Sequence, residues 1–235
     1  IISTSGYATH FGVNSADLLT IYACDIARLA GWEQHVWAAH NVPPEGKVSR
    51  ELLASQIRAQ PASTHAVEEL LFVSMRKLEK GFERKFGAKL FKHQIDDGSA
   101  MQQISRFHCR DQASLLRLAK EIIRVFSDRL NLRELRKLSS HAEKDKLGSN
   151  KLLQDVLAKK IGEERARQVF GPIVGAYDLR VGDAHPTSSK IGDALELAGI
   201  DESQSYLRQG EQLIHNVGYS VWCIGKLLFE EKGNP

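Results

Sequence analysis

The sequence lacks what marks a membrane protein, a disulfide-stapled protein or a metal ribbon. No apolar run approaches the roughly 18–20 residues needed to cross a bilayer, so no membrane partner is expected. Cysteine is sparse: Cys24, Cys109 and Cys223 lie far apart, odd in number and with no CxxC pair. That spacing argues against a disulfide framework or zinc ribbon and fits a reducing cytoplasm. Sustained two-residue alternation of β-branched residues is missing, and so are hairpin dipeptides between such runs. Phosphate-loop, dinucleotide-binding, HExxH, GxSxG and EF-hand patterns are all absent. The nine histidines show no i,i+4 metal pairing, and the adjacent His108 and Cys109 have no partner ligands. No metal and no cofactor is therefore expected. The chain opens Ile-Ile-Ser without the basic-then-apolar pattern of a signal peptide. It reads as a piece of a longer polypeptide, whose remainder is an expected partner.

Charge of one sign is also scarce overall. Against 32 Lys and Arg stand 29 Asp and Glu, a net +3 over 235 residues, which excludes a uniformly basic nucleic-acid coat. Hydrophobic residues at 42%, spread along the chain, exclude acidic disorder. The positive excess is local: residues 101–150 hold 11 basic against 6 acidic groups. Within them a helix is predicted from Asp111, its cap, to about residue 130. Arg117, Lys120 and Arg124 share one face of it, and Leu115, Ala119, Ile122 and Phe126 share the opposite face. The charged face is either the solvated side of a core helix or an electrostatic surface for a phosphate backbone.

Helical periodicity with caps dominates the rest, so the fold class is all-α, a helical bundle. Helices are predicted over 17–30 with Ser15 as cap and Gly31 as stop, then over 33–39. Residues 41–47, with Pro43, Pro44 and Gly46, form a loop. Ser49 caps a helix to about 59, and Thr64 opens a long one to about 86 that Gly87 stops. Asp96-Asp97-Gly98-Ser99 is the candidate boundary between a helical N-terminal region, 1–95, and a helical bundle, 99–235. Residues 139–150 read as loop. Helices follow over 151–161, 163–184 (strained in propensity by Gly171-Pro172), 190–198 and 202–230. On the last, Leu213, Val217, Val221, Ile224 and Leu228 form a core stripe. Gly218, Trp222 and Gly225 mark a second face, for close intramolecular packing or for a dimer. Cys24 and Cys223 read as core residues.

One constellation carries chemistry: Leu179-Arg180-Val181-Gly182-Asp183-Ala184-His185. Arg and His separated by four to six residues occur five times in this chain, so spacing alone does not select a pair. Arg180 and His185 differ from the others by context. They sit late in a helical run, with small and polar residues between them, before a Ser-rich turn and an amphipathic helix. This segment resembles the R-x4–6-H motif of the HEPN superfamily, helical-bundle ribonucleases of prokaryotic defence and toxin systems. The resemblance covers residues 99–235 and implies a metal-independent endoribonuclease module acting on RNA as a homodimer, within a larger antiviral defence or toxin protein. It implies proton transfer at His185 and phosphate stabilisation by Arg180, with Asp183 orienting either one. Such chemistry is sensible, because His titrates near neutrality and Arg matches phosphate geometry. Val181 and Pro186 depart from the family pattern. Two alternatives stay open: a non-catalytic dimerisation or partner-binding module, with Trp32, Trp37 and Trp222 as anchors, and a nucleic-acid-binding module without chemistry. A helix-surface pairing of Arg180 with Asp183 is the structural alternative for the motif itself.

Overall fold

A computed structural model describes residues 6, 9, 11–60, 66–92, 103–140, 147–182 and 188–229. The described chain is all-α apart from one small hairpin, and it divides into two compact units, residues 1–65 and 66–235. The break thus falls at 65/66, not at Asp96–Ser99, which lies outside the described residues. The reason is physical: the helix assigned from sequence to the first region buries its apolar face on the last helix of the second.

The first unit corrects one helix. Residues 17–30 do not form it; β1 (Phe11–Val13) and β2 (Leu19–Ile21) pair antiparallel instead, Phe11 opposite Ile21 and Val13 opposite Leu19. The signal lay in a side chain. Asn14 Oδ1 accepts from the Ala16 and Leu18 amides, both at 2.9 Å, and its Nδ2 donates to the Glu45 carbonyl at 2.6 Å. Asp17 takes the left-handed conformation, φ +58°, that Asp tolerates better than most residues. Such local bonds offer the backbone an alternative to helix. Only a short α1 (Ala23–Ile26) follows, and Gly31 starts α2 (Gly31–Ala39) where it was expected to stop a helix. Ser49 caps α3 (Arg50–Leu52) as expected, with a π-turn over Leu53–Ile57. Cys24 is exposed, not core.

In the second unit the expected stop at Gly87 and cap at Asp111 hold, whereas Thr64, the expected opener of the long helix, lies outside the described residues. α4 (Val67–Phe86) ends at Gly87, φ +66°. A 3₁₀ turn (Arg106–His108) precedes α5 (Gln112–Val125), whose cap Asp111 accepts from the Ser114 amide at 2.8 Å. Then come α6 (Leu132–Leu138), α7 (Ser149–Ile161), α8 (Glu163–Gly182), α9 (Ser188–Leu197) and α10 (Tyr206–Phe229). The expected stripe on α10, from Leu213 to Leu228, is buried, as are Leu115, Ala119, Ile122 and Phe126 of the α5 region. Gly218 does not face a second copy: a Cβ there would sit 3.0 Å from the Leu71 amide nitrogen, so the small face seats α4. α8 runs unbroken through Pro172 because Phe170, Ile173, Ala176 and Leu179 are all fully buried, and packing overrides propensity. No helix among the described residues is long and apolar enough to cross a membrane.

Candidate functional site

The turn after α5 builds the surroundings of Arg180. Phe126, fully buried, anchors that turn, and Ser127 and Asp128 follow on it. Arg180 lies in the last turn of α8. Its Nη1 donates to both Asp128 carboxylate oxygens at 2.9 Å, with side chains 33% and 45% exposed. Its guanidinium also lies 6.0 Å from the Tyr177 ring centre. Among the described residues the partner of Arg180 is therefore Asp128, 52 residues earlier. Asp183 and His185 lie outside the described residues. Half-exposed pairs of this kind are worth about 0–1 kcal/mol, so the bond orients Arg180 more than it stabilises the fold.

Asp128 also lines a cavity of about 510 Å³ with Ser127, Asn150, Lys151, Phe170 and Tyr177. The first turn of α7 forms one wall, with Gly148 at its N-cap. Ser127 Oγ and Asn150 Oδ1 are buried without a hydrogen-bond partner among the described residues. An unpaired buried polar atom costs about 1–3 kcal/mol, so each of these two atoms gains from a polar neighbour such as a water molecule. The positive end of α7 and Lys151 bring positive charge to this cavity, and the Asp128 carboxylate brings negative charge to it. Tyr177 and Val181 beside Arg180 are 44% and 49% exposed, a small apolar surface on the same helix end.

The basic face of α5 is on the surface. Arg117, Lys120 and Arg124 are exposed, but Arg124 is paired with Glu121 at 2.7 Å and with Gln103. Not all of the positive excess in 101–150 reaches solvent. Arg106 is 16% exposed and tied to Glu211 at 2.9 Å and to Glu68 at 3.9 Å, joining the 3₁₀ turn to α10 and α4. Cys109 is buried and burial pushes its thiol up to about 12, so it is neither a nucleophile nor a ready ligand. Sequence reading singled out Arg180 and the α5 face as candidates. It missed Asp128, for which the only signal was an acid in the turn of a basic helix, and it missed the cavity. No protein-family model matches the chain, and neither a curated protein nor a solved structure does.

Proposed function

We propose that the chain is a metal-independent endoribonuclease module of the HEPN kind, working as a dimer in the cytoplasm within a larger prokaryotic defence or toxin protein. The observation that carries this reading is Arg180, oriented by Asp128 through one nitrogen beside a cavity that Asp128, Lys151 and Tyr177 line. Both bonds use Nη1, which among the described residues leaves Nη2 and Nε for a phosphate in the forked geometry Arg favours. His185 follows five residues later in sequence. In the reaction the RNA 2′-oxygen attacks the adjacent phosphorus and gives its proton to a neutral His185. The P–O5′ bond breaks, the 5′-oxygen takes a proton from an imidazolium, and a 2′,3′-cyclic phosphate remains. Two half-sites meeting at the helix end that carries Tyr177 and Val181 supply the two histidines and cover that apolar surface. Arg180 stabilises the charge that builds on the phosphorane oxygens. Asp183 orients His185 or Arg180. Arg117, Lys120 and Arg124 hold more distant phosphates.

The test is cleavage of single-stranded RNA by the dimeric protein. Cyclic-phosphate ends are expected, and Arg180→Ala and His185→Ala should each lower the rate at least about a hundredfold, a typical general-acid–base contribution. Cleavage that survives both substitutions refutes the assignment. The pairing with Asp128 favours one second reading, a non-catalytic partner-binding or nucleic-acid-binding module in which Arg180 is a structural clamp. Wild-type protein that binds but never cuts, and that Arg180→Ala and Asp128→Asn destabilise equally, would establish it.

A further inference from the structure

The cavity beside Arg180 has one apolar side and one polar side. α7 and α8 pack against each other and supply two of its walls. From α8 come Phe170, Val174 and Tyr177, at spacings of four and three, so a single face of that helix forms the apolar wall. Phe170 is fully buried, Val174 half-buried and Tyr177 44% exposed, so this wall runs from the core out to the surface. The polar side comes from Asn150, Lys151 and Gln154 in the first turns of α7 and from Asp128 in the turn after α5. Lys151 Nζ donates to Gln154 Oε1 at 3.4 Å. The volume of about 510 Å³ lies within the roughly 300–1,000 Å³ of small-molecule sites.

Charge narrows the choice of ligand. Asp128 opposes a simple anion and Lys151 opposes a metal cation, since each would meet its own sign. A wholly apolar ligand would strand the polar side chains. A neutral planar ring with a polar edge meets both sides. Its face lies on Tyr177, and its edge offers a donor to Asp128 and an acceptor to Lys151. Asn150 Oδ1, which has no hydrogen-bond partner among the described residues, gains from a donor on the same edge. Each Asp128 oxygen keeps a lone pair beyond its bond to Arg180. A nucleobase is such a ring, and of the RNA bases only uracil lacks the exocyclic amino group that a carboxylate accepts from. The cavity is also close enough to Arg180 for one nucleotide to reach both. Asp128 bonds Arg180 at 2.9 Å, and the Tyr177 ring centre lies 6.0 Å from the guanidinium.

We infer that this cavity binds one nucleobase bearing an exocyclic amino group, stacked on Tyr177 and edge-on to Asp128, Asn150 and Lys151, with the phosphate of the same nucleotide on Arg180. The inference deepens the ribonuclease reading by giving it a base preference, and it rests on that reading for the phosphate at Arg180. Tyr177 is then a specificity-determining residue, covered by the base and the dimer contact together.

The test titrates the whole chain with nucleoside 5′-monophosphates and with ribose 5-phosphate, which keeps the sugar and phosphate and lacks the base. NMR shifts of the Asn150, Lys151 and Tyr177 amides report binding, with no cleavage required. Adenosine monophosphate should bind about 5- to 150-fold more tightly than ribose 5-phosphate, the range for one stacked base. Uridine monophosphate should bind at least about fivefold more weakly than adenosine monophosphate. Tyr177→Leu should remove most of the advantage of the base and leave ribose 5-phosphate binding as it was, a split that a purely structural role would not produce. Tyr177→Phe should restore the advantage, and Asn150→Ala should cost about 2- to 12-fold. Circular dichroism and size exclusion on each variant separate loss of binding from loss of fold or of the dimer. No shift with any nucleotide, ribose 5-phosphate binding as tightly as adenosine monophosphate, uridine monophosphate binding as tightly as adenosine monophosphate, or a folded Tyr177→Leu protein that keeps the advantage of the base would overturn the inference. The two readings fail separately. RNA left uncut by a protein that prefers adenosine monophosphate ends the nuclease assignment and supports the base site. RNA cut through Arg180 and His185 at equal rates beside all four bases ends the base site alone.

Discussion

The two compact units are held by different forces. In residues 66–235 a continuous apolar core runs from Leu71 to Leu228 and includes Phe72, Phe82, Phe126 and Phe170, all nearly solvent-free. In residues 1–65, Leu29 is the one described apolar side chain below a tenth exposed, while Asn14, Asp25 and Ser49 are buried polar groups. Side-chain hydrogen bonds do the joining there: Thr20 to Ser49 at 2.9 Å, Tyr22 to Ser55 at 2.9 Å, and the Asn14 set. Apolar burial is worth about 25 cal/mol per Å², whereas each net hydrogen bond adds only about 0.5–1.5 kcal/mol. The first unit should therefore open far more often than the second, and four measurements can break or sharpen that contrast.

The largest effect is expected in thiol labelling. Cys24 is exposed in the first unit, and Cys109 is buried in the second. Reagent should reach Cys24 at once and Cys109 only through unfolding, which costs about 5 kcal/mol or more and slows labelling by at least a thousandfold. The pH dependence has a definite sign. Burial raises the folded Cys109 value from 9.0 to about 12, so the thiol is neutral in both states below pH 9. Its contribution to stability is intact there and is lost as pH rises through 9 to 12, where only the unfolded chain ionises. Cys109→Ala should flatten that part of the stability profile. Comparable labelling rates at the two cysteines would erase the contrast between the units.

Next in size is Phe126→Ala, which removes a fully buried ring and should cost about 3–5 kcal/mol. Denaturant unfolding followed by helix signal should show the main transition shifted by that amount. A loss below about 1 kcal/mol would mean the core is not continuous at α5. Asn14→Ala is smaller, about 1–3 kcal/mol from the amides it abandons. It should speed hydrogen exchange at Ala16 and Leu18 and proteolysis within 1–65, leaving the main transition in place. Unchanged exchange at those amides would show that the hairpin is held by something other than Asn14.

The same contrast explains what was legible in the sequence. Where burial decides, periodicity reports it: the α10 stripe from Leu213 to Leu228, the apolar side of α5, and the ends at Asp111 and Gly87 could be read directly. Where polar side chains decide, periodicity misleads, as residues 17–30 show; the determining group was Asn14, outside the apparent helix. The sites failed for a related reason. Arg180 could be singled out, yet its partner Asp128 is 52 residues away and no local pattern joins them. Charge was hidden by summation as well: α4 also carries Glu68, Glu69, Glu79 and Glu83, so its net charge is small although Lys77, Lys80 and Arg84 share one exposed face. Glu79 is turned elsewhere, accepting from the Leu90 and Phe91 amides at 2.9 and 3.2 Å.

The smallest expected effect is the most informative about function. Arg180 belongs to the well-packed unit but is held in the manner of the first one, by an exposed polar bond. A double-mutant cycle with Arg180→Ala and Asp128→Ala, read by thermal unfolding, should give a coupling of about 0.2–1 kcal/mol. A coupling that small means the bond contributes little to the fold, so loss of RNA cleavage in Arg180→Ala would report a missing phosphate ligand and not a disturbed structure. Asp128→Asn sharpens the point, since it keeps the shape and removes the charge. If Asp128 merely orients Arg180, cleavage by Asp128→Asn should fall by less than by Arg180→Ala, with phosphate affinity unchanged or raised because the competing carboxylate is gone. A coupling above about 1.5 kcal/mol, with equal losses of stability in both single variants, would make the pair a clamp of the bundle and would put Arg180 with the core it sits on.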